Sequence, residues 1–258
     1  MYLADFHIHS NFSDGKLSIP ALVDYFGKRE FGAIAITDHF CEDTSLIGKA
    51  STYLGVTLNR ATFPIYCELL KTEKARAWEQ YGMMLIPGVE ITKNSISNHR
   101  SAHFLVLGEL EGIDPNKDIT ETSDQVRAKG GLVIAAHPVS TQKLEKQTYH
   151  LWDRREGLRN KVDAWEVASG PYLFDEVGRS GLPVIANSDF HQERNMTSWK
   201  TVLRCERRQD AIFEAIKKQK LEFFFYREVK RRESYHPQRT YYGGVELAHQ
   251  RMGNLVSV

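Results

Sequence analysis

Two histidines one residue apart, His7 and His9, are followed five residues later by a carboxylate, Asp14, in the opening stretch Asp5-Phe6-His7-Ile8-His9-Ser10-Asn11-Phe12-Ser13-Asp14-Gly15. Leu3, Phe6 and Ile8 suit an extended strand, while Asn11, Ser13, Asp14 and Gly15 are turn formers. Side chains two apart in a strand point the same way, so both imidazoles can converge on one point and Asp14 can return to it from the loop. Two imidazoles and a carboxylate converging outline a metal site. His-x-His pairs also occur in strands without metal, so the weight of the fragment depends on what else the chain brings to it.

The elements that would position such a site repeat along the chain. Ile19, Leu22, Val23 and Phe26 have helical spacing, with Pro20 suited to a first turn. Ala33-Ile34-Ala35-Ile36-Thr37 is a continuous apolar run ending in Asp38-His39, as expected of a strand buried on both faces. Further runs are Met83–Ile86, leading to Glu90; His103–Leu107, with its histidine at the front; Leu132–Ala136, ending in His137-Pro138; Ala164–Val167; and Pro183–Ala186, ending in Asn187-Ser188-Asp189-Phe190-His191. Helical segments such as Thr120–Lys129 and Phe174–Ser180 separate them. Parallel strands alternating with helices put their C-terminal ends on one face, and a closed barrel focuses those ends on one pocket. Nine residues then converge: His7, His9, Asp14, His39, Glu90, His103, His137, Asp189 and His191. Histidine has no general structural advantage at a strand end, so packing is a poor explanation for six of the chain's ten histidines falling in this set.

Length and composition fit one globular domain, with 1–226 as the barrel and 227–258 as a tail, docked or partly flexible. A net charge of +1 from 34 basic and 33 acidic residues argues against a dedicated binder of long nucleic acid. Cys41, Cys67 and Cys205 form no Cys-x-x-Cys pair and read as free thiols of a cytoplasmic protein. No apolar run approaches the ~18 residues of a membrane span, and the first residues lack the basic and then apolar pattern of a signal peptide. The sequence sets no oligomeric state.

Taken together, His7-x-His9-x4-Asp14-Gly15, Thr37-Asp38-His39, Gly88-Val89-Glu90, His103, Ala136-His137-Pro138 and Ser188-Asp189-Phe190-His191 resemble the polymerase and histidinol phosphatase (PHP) domain family, in the family's order and over about residues 3 to 205. The resemblance implies a distorted (β/α)7 barrel of the α/β class, a cluster of two to three divalent ions (zinc, manganese or iron), and phosphoester hydrolysis. It implies that His7, His9, Glu90 and Asp189 surround one ion, and that Glu90, His103 and His137 hold a second. Asp14, His39 and His191 would hold a third and form the expected catalytic group. Asp38 is expected to hydrogen-bond an imidazole from behind.

Charge then narrows the chemistry. Six neutral imidazoles and three carboxylates around three divalent ions leave a surplus of about three positive charges. A metal-bridging hydroxide lowers this to about two, which a phosphomonoester dianion would cancel, and such a hydroxide is a nucleophile near neutral pH. The expected activity is hydrolysis of phosphomonoesters of small metabolites or nucleotides. The alternatives are an exonuclease-type phosphodiesterase acting on oligonucleotide ends and a non-catalytic metal-binding module. Lys16 and Arg194 are candidate phosphate contacts at the mouth. Arg154 and Arg155, in a basic and aromatic connection with Lys143, Lys146, His150 and Trp152, are candidates to grip a second phosphate or stack a base. Tyr53, Phe63, Tyr66 and Trp78, in the long connection after Phe40, read as packing residues rather than a lid.

Overall fold

The computed structural model describes residues 1–43, 56–93, 101–139 and 149–227. Its first half contains β1 (Tyr2–Asp5), α1 (Ile19–Gly27), β2 (Ala33–Ile36), β3 (His39–Cys41), α2 (Thr62–Tyr81), β4 (Met84–Lys93) and β5 (Ala102–Leu107). The second half begins with α3 (Ile119–Ala128), β6 (Leu132–Ala135), α4 (Tyr149–Asp153), α5 (Arg155–Leu158), β7 (Ala164–Ser169) and β8 (Tyr172–Leu173). It ends with α6 (Asp175–Gly178), β9 (Val184–Asn187), β10 (Ser198–Leu203), α7 (Gln209–Lys217) and β11 (Leu221–Tyr226). Local chemistry sets several boundaries. Ser18 caps α1 by accepting the Ala21 N–H, with Pro20 in the first turn, where a missing N–H costs nothing. Asp118 caps α3, and Gly82 ends α2 in the left-handed conformation.

All seven apolar runs form strands, in a mixed sheet rather than a parallel one. The β1–β2, β2–β4, β6–β7 and β7–β9 pairs are parallel. β5 is antiparallel to both β4 and β6, which corrects the expectation of parallel strands throughout. Only residues 94–101 separate β4 from β5, too few for the crossover of a dozen or more residues that a parallel pair requires. The reversal also explains why His103 stands at the front of its run: an antiparallel strand begins on the face where its parallel neighbours end.

β10 was not among the seven runs. It pairs antiparallel with β1 and β11, and the sheet curls so that the chain at β9 comes back alongside β1 and β10. Beyond β9, the Phe190 N–H donates to His7 O at 3.0 Å, and the His9 N–H returns to Phe190 O at 2.7 Å. Lower in the seam the Thr201 hydroxyl accepts the Ala186 N–H at 3.3 Å and donates to Ala186 O at 2.8 Å, standing in for a ladder bond.

The period of two places Ala33 and Ala35 in one core cluster and Ile34 and Ile36 in the other, as a strand buried on both faces requires. Helices α1 and α2 supply Leu22, Val23, Phe26, Tyr66 and Leu70 to the larger cluster, and α7 supplies Ile212, Phe213 and Ile216 to the smaller. Tyr66 is fully buried and its hydroxyl lies 2.9 Å from Ile36 O and 2.7 Å from Gly88 O, bracing β2 against β4. Phe63 stacks on Phe40, whereas Trp78 is exposed and does not pack in the core. Tyr53, Lys143, Lys146 and all of the expected tail beyond Arg227 lie outside the described residues. Among the described residues no helix is long and apolar enough to cross a membrane.

Candidate metal centre

The nine residues singled out by sequence come together at the end of the sheet where β1, β2, β6, β7 and β9 finish and β5 begins. They fall into four overlapping groups whose ligand atoms lie within 4.8 Å of one another: His9, Asp14, His39 and His191; His7, Glu90 and His137; His7, His9 and Asp189; and His39, Glu90 and His103. Glu90 is the hub. Its Oε2 is 3.5 Å from His7 Nε2, 3.5 Å from His9 Nε2 and 2.8 Å from His39 Nδ1. Its Oε1 is 3.0 Å from His103 Nδ1 and 3.4 Å from His137 Nε2. The grouping differs from the resemblance in two respects: His103 sides with His39 and His137 with His7, although both reach Glu90, and His9 also joins Asp14, His39 and His191.

The cluster has a deep half and an open half. His7, His9 and Glu90 have no solvent exposure, while Asp189 Oδ1 reaches His7 Nε2 at 3.3 Å and His9 Nε2 at 3.2 Å. At the mouth, Asp14 Oδ1 is 3.2 Å from His191 Nε2 and Asp14 Oδ2 is 3.7 Å from His39 Nε2. The loop carrying Asp14 is folded by its own short side chains. Ser10 and Ser13 donate hydroxyl hydrogen bonds to the buried Asp38 carboxylate, as does the Ser10 N–H. Asp38 therefore shapes this loop instead of bonding an imidazole, a correction to the sequence expectation. Any side chain at Gly15 would run into the His9 carbonyl, and the Lys16 N–H donates to His191 O at 2.8 Å, tying the Asp14 loop to the His191 loop.

Four supporting residues escaped the sequence reading. Glu166 of β7, fully buried, takes the Asn187 Nδ2–H on Oε1 at 2.9 Å and the His137 N–H on Oε2 at 2.7 Å, and Oε1 also lies 2.9 Å from His7 Nδ1. Its signal was available: a carboxylate inside an apolar run must find partners when that run is buried on both faces. Asn187 Oδ1 accepts the Phe6 N–H at 2.9 Å. Lys200 and Asp5, both without exposure, pair at 2.9 Å, and Asp5 accepts the N–H and hydroxyl of Ser188, the residue before Asp189. Asp189 and His137 have φ of 52° and 26°, where non-glycine residues are strained, and such strain gathers at functional sites when the surroundings enforce it.

Electrostatics follow from this crowding. Burial pulls the His9 imidazole down, and the neighbouring His191 and His39 add to that, to about 3. Burial also depresses His137, yet Glu90 overcomes it and the group rises to about 9. His191, pulled down by burial but facing Asp189 and Asp14, rises to about 10. Burial would raise the Glu90 carboxyl, but His39, His103 and His7 hold it well below the usual carboxylate range. Cys41 is buried, and burial lifts its thiol to about 11, so it is no thiolate.

The donors fit divalent metal. Five fully buried atoms, His7 Nε2, His9 Nδ1 and Nε2, and both Glu90 oxygens, make no directed hydrogen bond, although they lie close to one another. Buried polar atoms without hydrogen bonds are costly, and a shared cation would satisfy them together. Mixed imidazole and carboxylate ligands suit zinc, manganese or iron. Among the expected substrate contacts, Lys16 and Arg194 are exposed beside the mouth, the latter on the turn Glu193–Met196 that follows His191. Arg154 lies 3.1 Å from His150 Nε2 and 3.9 Å from Asp118, and Arg155 covers the Trp152 ring at 4.7 Å.

A curled mixed α/β sheet with an imidazole and carboxylate cage at one end defines a metal-binding class of barrel-like proteins. The PHP domain model matches residues 5–162, more than half of the chain, and the protein belongs to the PHP domain family. That span holds seven of the nine cluster residues; Asp189 and His191 lie beyond it and are brought in by the fold. Among solved structures, the chain is similar to a two-domain protein of Bacteroides vulgatus containing a predicted PHP-like metal-dependent phosphoesterase. The identity is 22% and the TM-score 0.61, over 90% of this chain and 73% of that one. It also matches an amidohydrolase of Chromobacterium violaceum with bound sulfate, at 16% identity and a TM-score of 0.46, over 73% of this chain and 87% of that one. No curated protein sequence matches it.

Proposed function

We propose that the protein is a metal-dependent phosphoesterase that hydrolyses phosphomonoesters of small metabolites or nucleotides. The observation that carries this reading is the clustering of all nine nitrogen- and oxygen-donor residues in four overlapping groups, with Asp14, His39 and His191 on the exposed side. His7, His9, Asp189, Glu90 and His137 would hold ions in the deep half, and Asp14, His39, His191 and His103 would complete the open half. Such ions, when bound, supply Lewis-acid polarisation of phosphoryl oxygens and an activated water.

The chain's own residues supply the rest. Glu90, Asp189 and Asp14 carry too little negative charge to neutralise two or three divalent ions, so the pocket attracts a dianion more than a neutral amide. Lys16 and Arg194 extend the positive field to the mouth and would take the non-bridging phosphate oxygens by charge-assisted hydrogen bonds. Free thiols at Cys41, Cys67 and Cys205 support a reducing, cytoplasmic setting.

The deciding experiment is turnover of protein reconstituted with manganese, zinc or iron on an aryl phosphate, a bis-aryl phosphate and a nucleotide panel. Hydrolysis of monoesters is expected. Activity on the diester alone would replace this reading with a phosphodiesterase. Bound metal without hydrolysis of any phosphoester would leave a regulatory metal-binding module.

A further inference from the structure

We infer that Glu166 is a positioning residue for the metal centre: its carboxylate sets the proton of His7 on Nδ1 and pins the backbone of His137, so that two ligands from different strands face the deep half together. This rests on the metal-centre reading above and extends it to a residue that touches neither ion nor substrate.

The argument begins with hydrogen-bond inventory. Glu166 is fully buried, and both its oxygens already accept N–H bonds, Oε1 from Asn187 Nδ2 at 2.9 Å and Oε2 from His137 N at 2.7 Å. The third neighbour, His7 Nδ1 at 2.9 Å from Oε1, is therefore a donor. With its proton held on Nδ1, His7 offers the lone pair of Nε2, the nitrogen 3.5 Å from Glu90 and 3.3 Å from Asp189. A carboxylate behind a ligating imidazole fixes the ring, fixes the tautomer and raises the basicity of the ligand nitrogen.

The second consequence concerns strain. His137 has φ of 26° and precedes Pro138, whose ring narrows its choices further. The bond from its N–H to Glu166 holds that conformation, which turns the imidazole off the end of β6 toward Glu90. Asn187 passes the same constraint to the seam, since its Oδ1 accepts from Phe6 N just before His7. One side chain on β7 thus ties together the ends of β1, β6 and β9.

Three donors facing one carboxylate make Glu166→Gln a sharp probe. A glutamine has one oxygen and one NH2, so its NH2 must confront either His7 or the His137 N–H. Turned to His7, it requires an acceptor on Nδ1 and moves the proton to the nitrogen that should hold metal.

The experiment uses the full chain loaded with zinc, with 15N NMR of the histidine rings, zinc affinity by chelator competition, and thermal unfolding of the metal-free forms. The wild type is expected to show His7 protonated on Nδ1 and protected from exchange. Glu166→Gln should bind zinc about 10- to 100-fold more weakly, the usual effect of removing such a partner, and lose the His7 signal where its NH2 turns to His7, while its metal-free form still unfolds cooperatively. A zinc-loaded wild type with His7 protonated on Nε2 overturns the inference without need of any variant, as does a folded Glu166→Gln protein whose zinc affinity is within about twofold of wild type. Failure of the wild type to bind zinc, manganese or iron is a different result, and it removes the metal centre itself.

Discussion

The deep and open halves of the cluster use the same residue types and are built differently. His7, His9 and Glu90 have no exposure, whereas the side chains of Asp14, His39 and His191 are 39, 17 and 27% exposed. Strand ends carry the deep half and inter-strand hydrogen bonds through Glu166 and Asn187 brace it. Loops carry much of the open half, and its Asp14 depends on serine hydroxyls gathered by Asp38. Burial without directed hydrogen bonds makes the deep half costly unless an ion fills it, while water can solvate the rim. The deep half is therefore the part that should hold metal most firmly, and the rim the part that should exchange ligands with substrate.

The harshest way to break this contrast is at the hub. Glu90→Gln should strip metal from both halves and lower turnover by about 10³-fold, as the loss of several kcal/mol of charge stabilisation demands; metal analysis with an aryl phosphate assay checks it. His137→Ala and Asp189→Ala should each abolish turnover and lower bound metal, and unchanged metal in both would take them out of the ligand shell. Asp14→Asn tests the rim alone. It should keep the deep ions, lose no more than one equivalent, and cost about 10²-fold in turnover through weaker charge stabilisation; loss of all metal would erase the distinction between the halves.

Proton release sharpens the comparison. Without metal, His137 and His191 titrate at about 9 and about 10, above the ordinary imidazole, so both are protonated at neutral pH and must lose a proton to bind metal. His9, at about 3, has none to lose. Zinc added at about pH 8 should still release protons in a pH-stat, where an imidazole of ordinary pKa near 6.5 would already be neutral. The smallest effect belongs to the outer arginines. Arg154→Ala with Arg155→Ala should raise KM for a nucleotide a few-fold and leave an aryl phosphate unchanged; equal effects on both would remove them from substrate binding.

Much of this was legible in the chain. Apolar runs of four or five residues mark strands because both faces of each are buried, and a histidine or carboxylate at the run's end has no packing reason to be there. The strand at Ser198–Leu203 was missed because Lys200 interrupts its pattern, and the burial of that lysine is offset by Asp5 and the Ser198 hydroxyl. Asp38 was misassigned because the direction of a loop side chain cannot be read from its neighbours in sequence.

Residue type and order determined which chemistry this protein holds: imidazole and carboxylate groups at the ends of buried runs, which follow from composition and hydrophobic period alone. The reversal of β5, the division of the cage into a dry floor and a wet rim, and the hold of Glu166 on two ligands were decided only in three dimensions. Each depends on contacts between residues far apart in the chain, and the energy of those contacts comes from packing and partner geometry that no local pattern encodes.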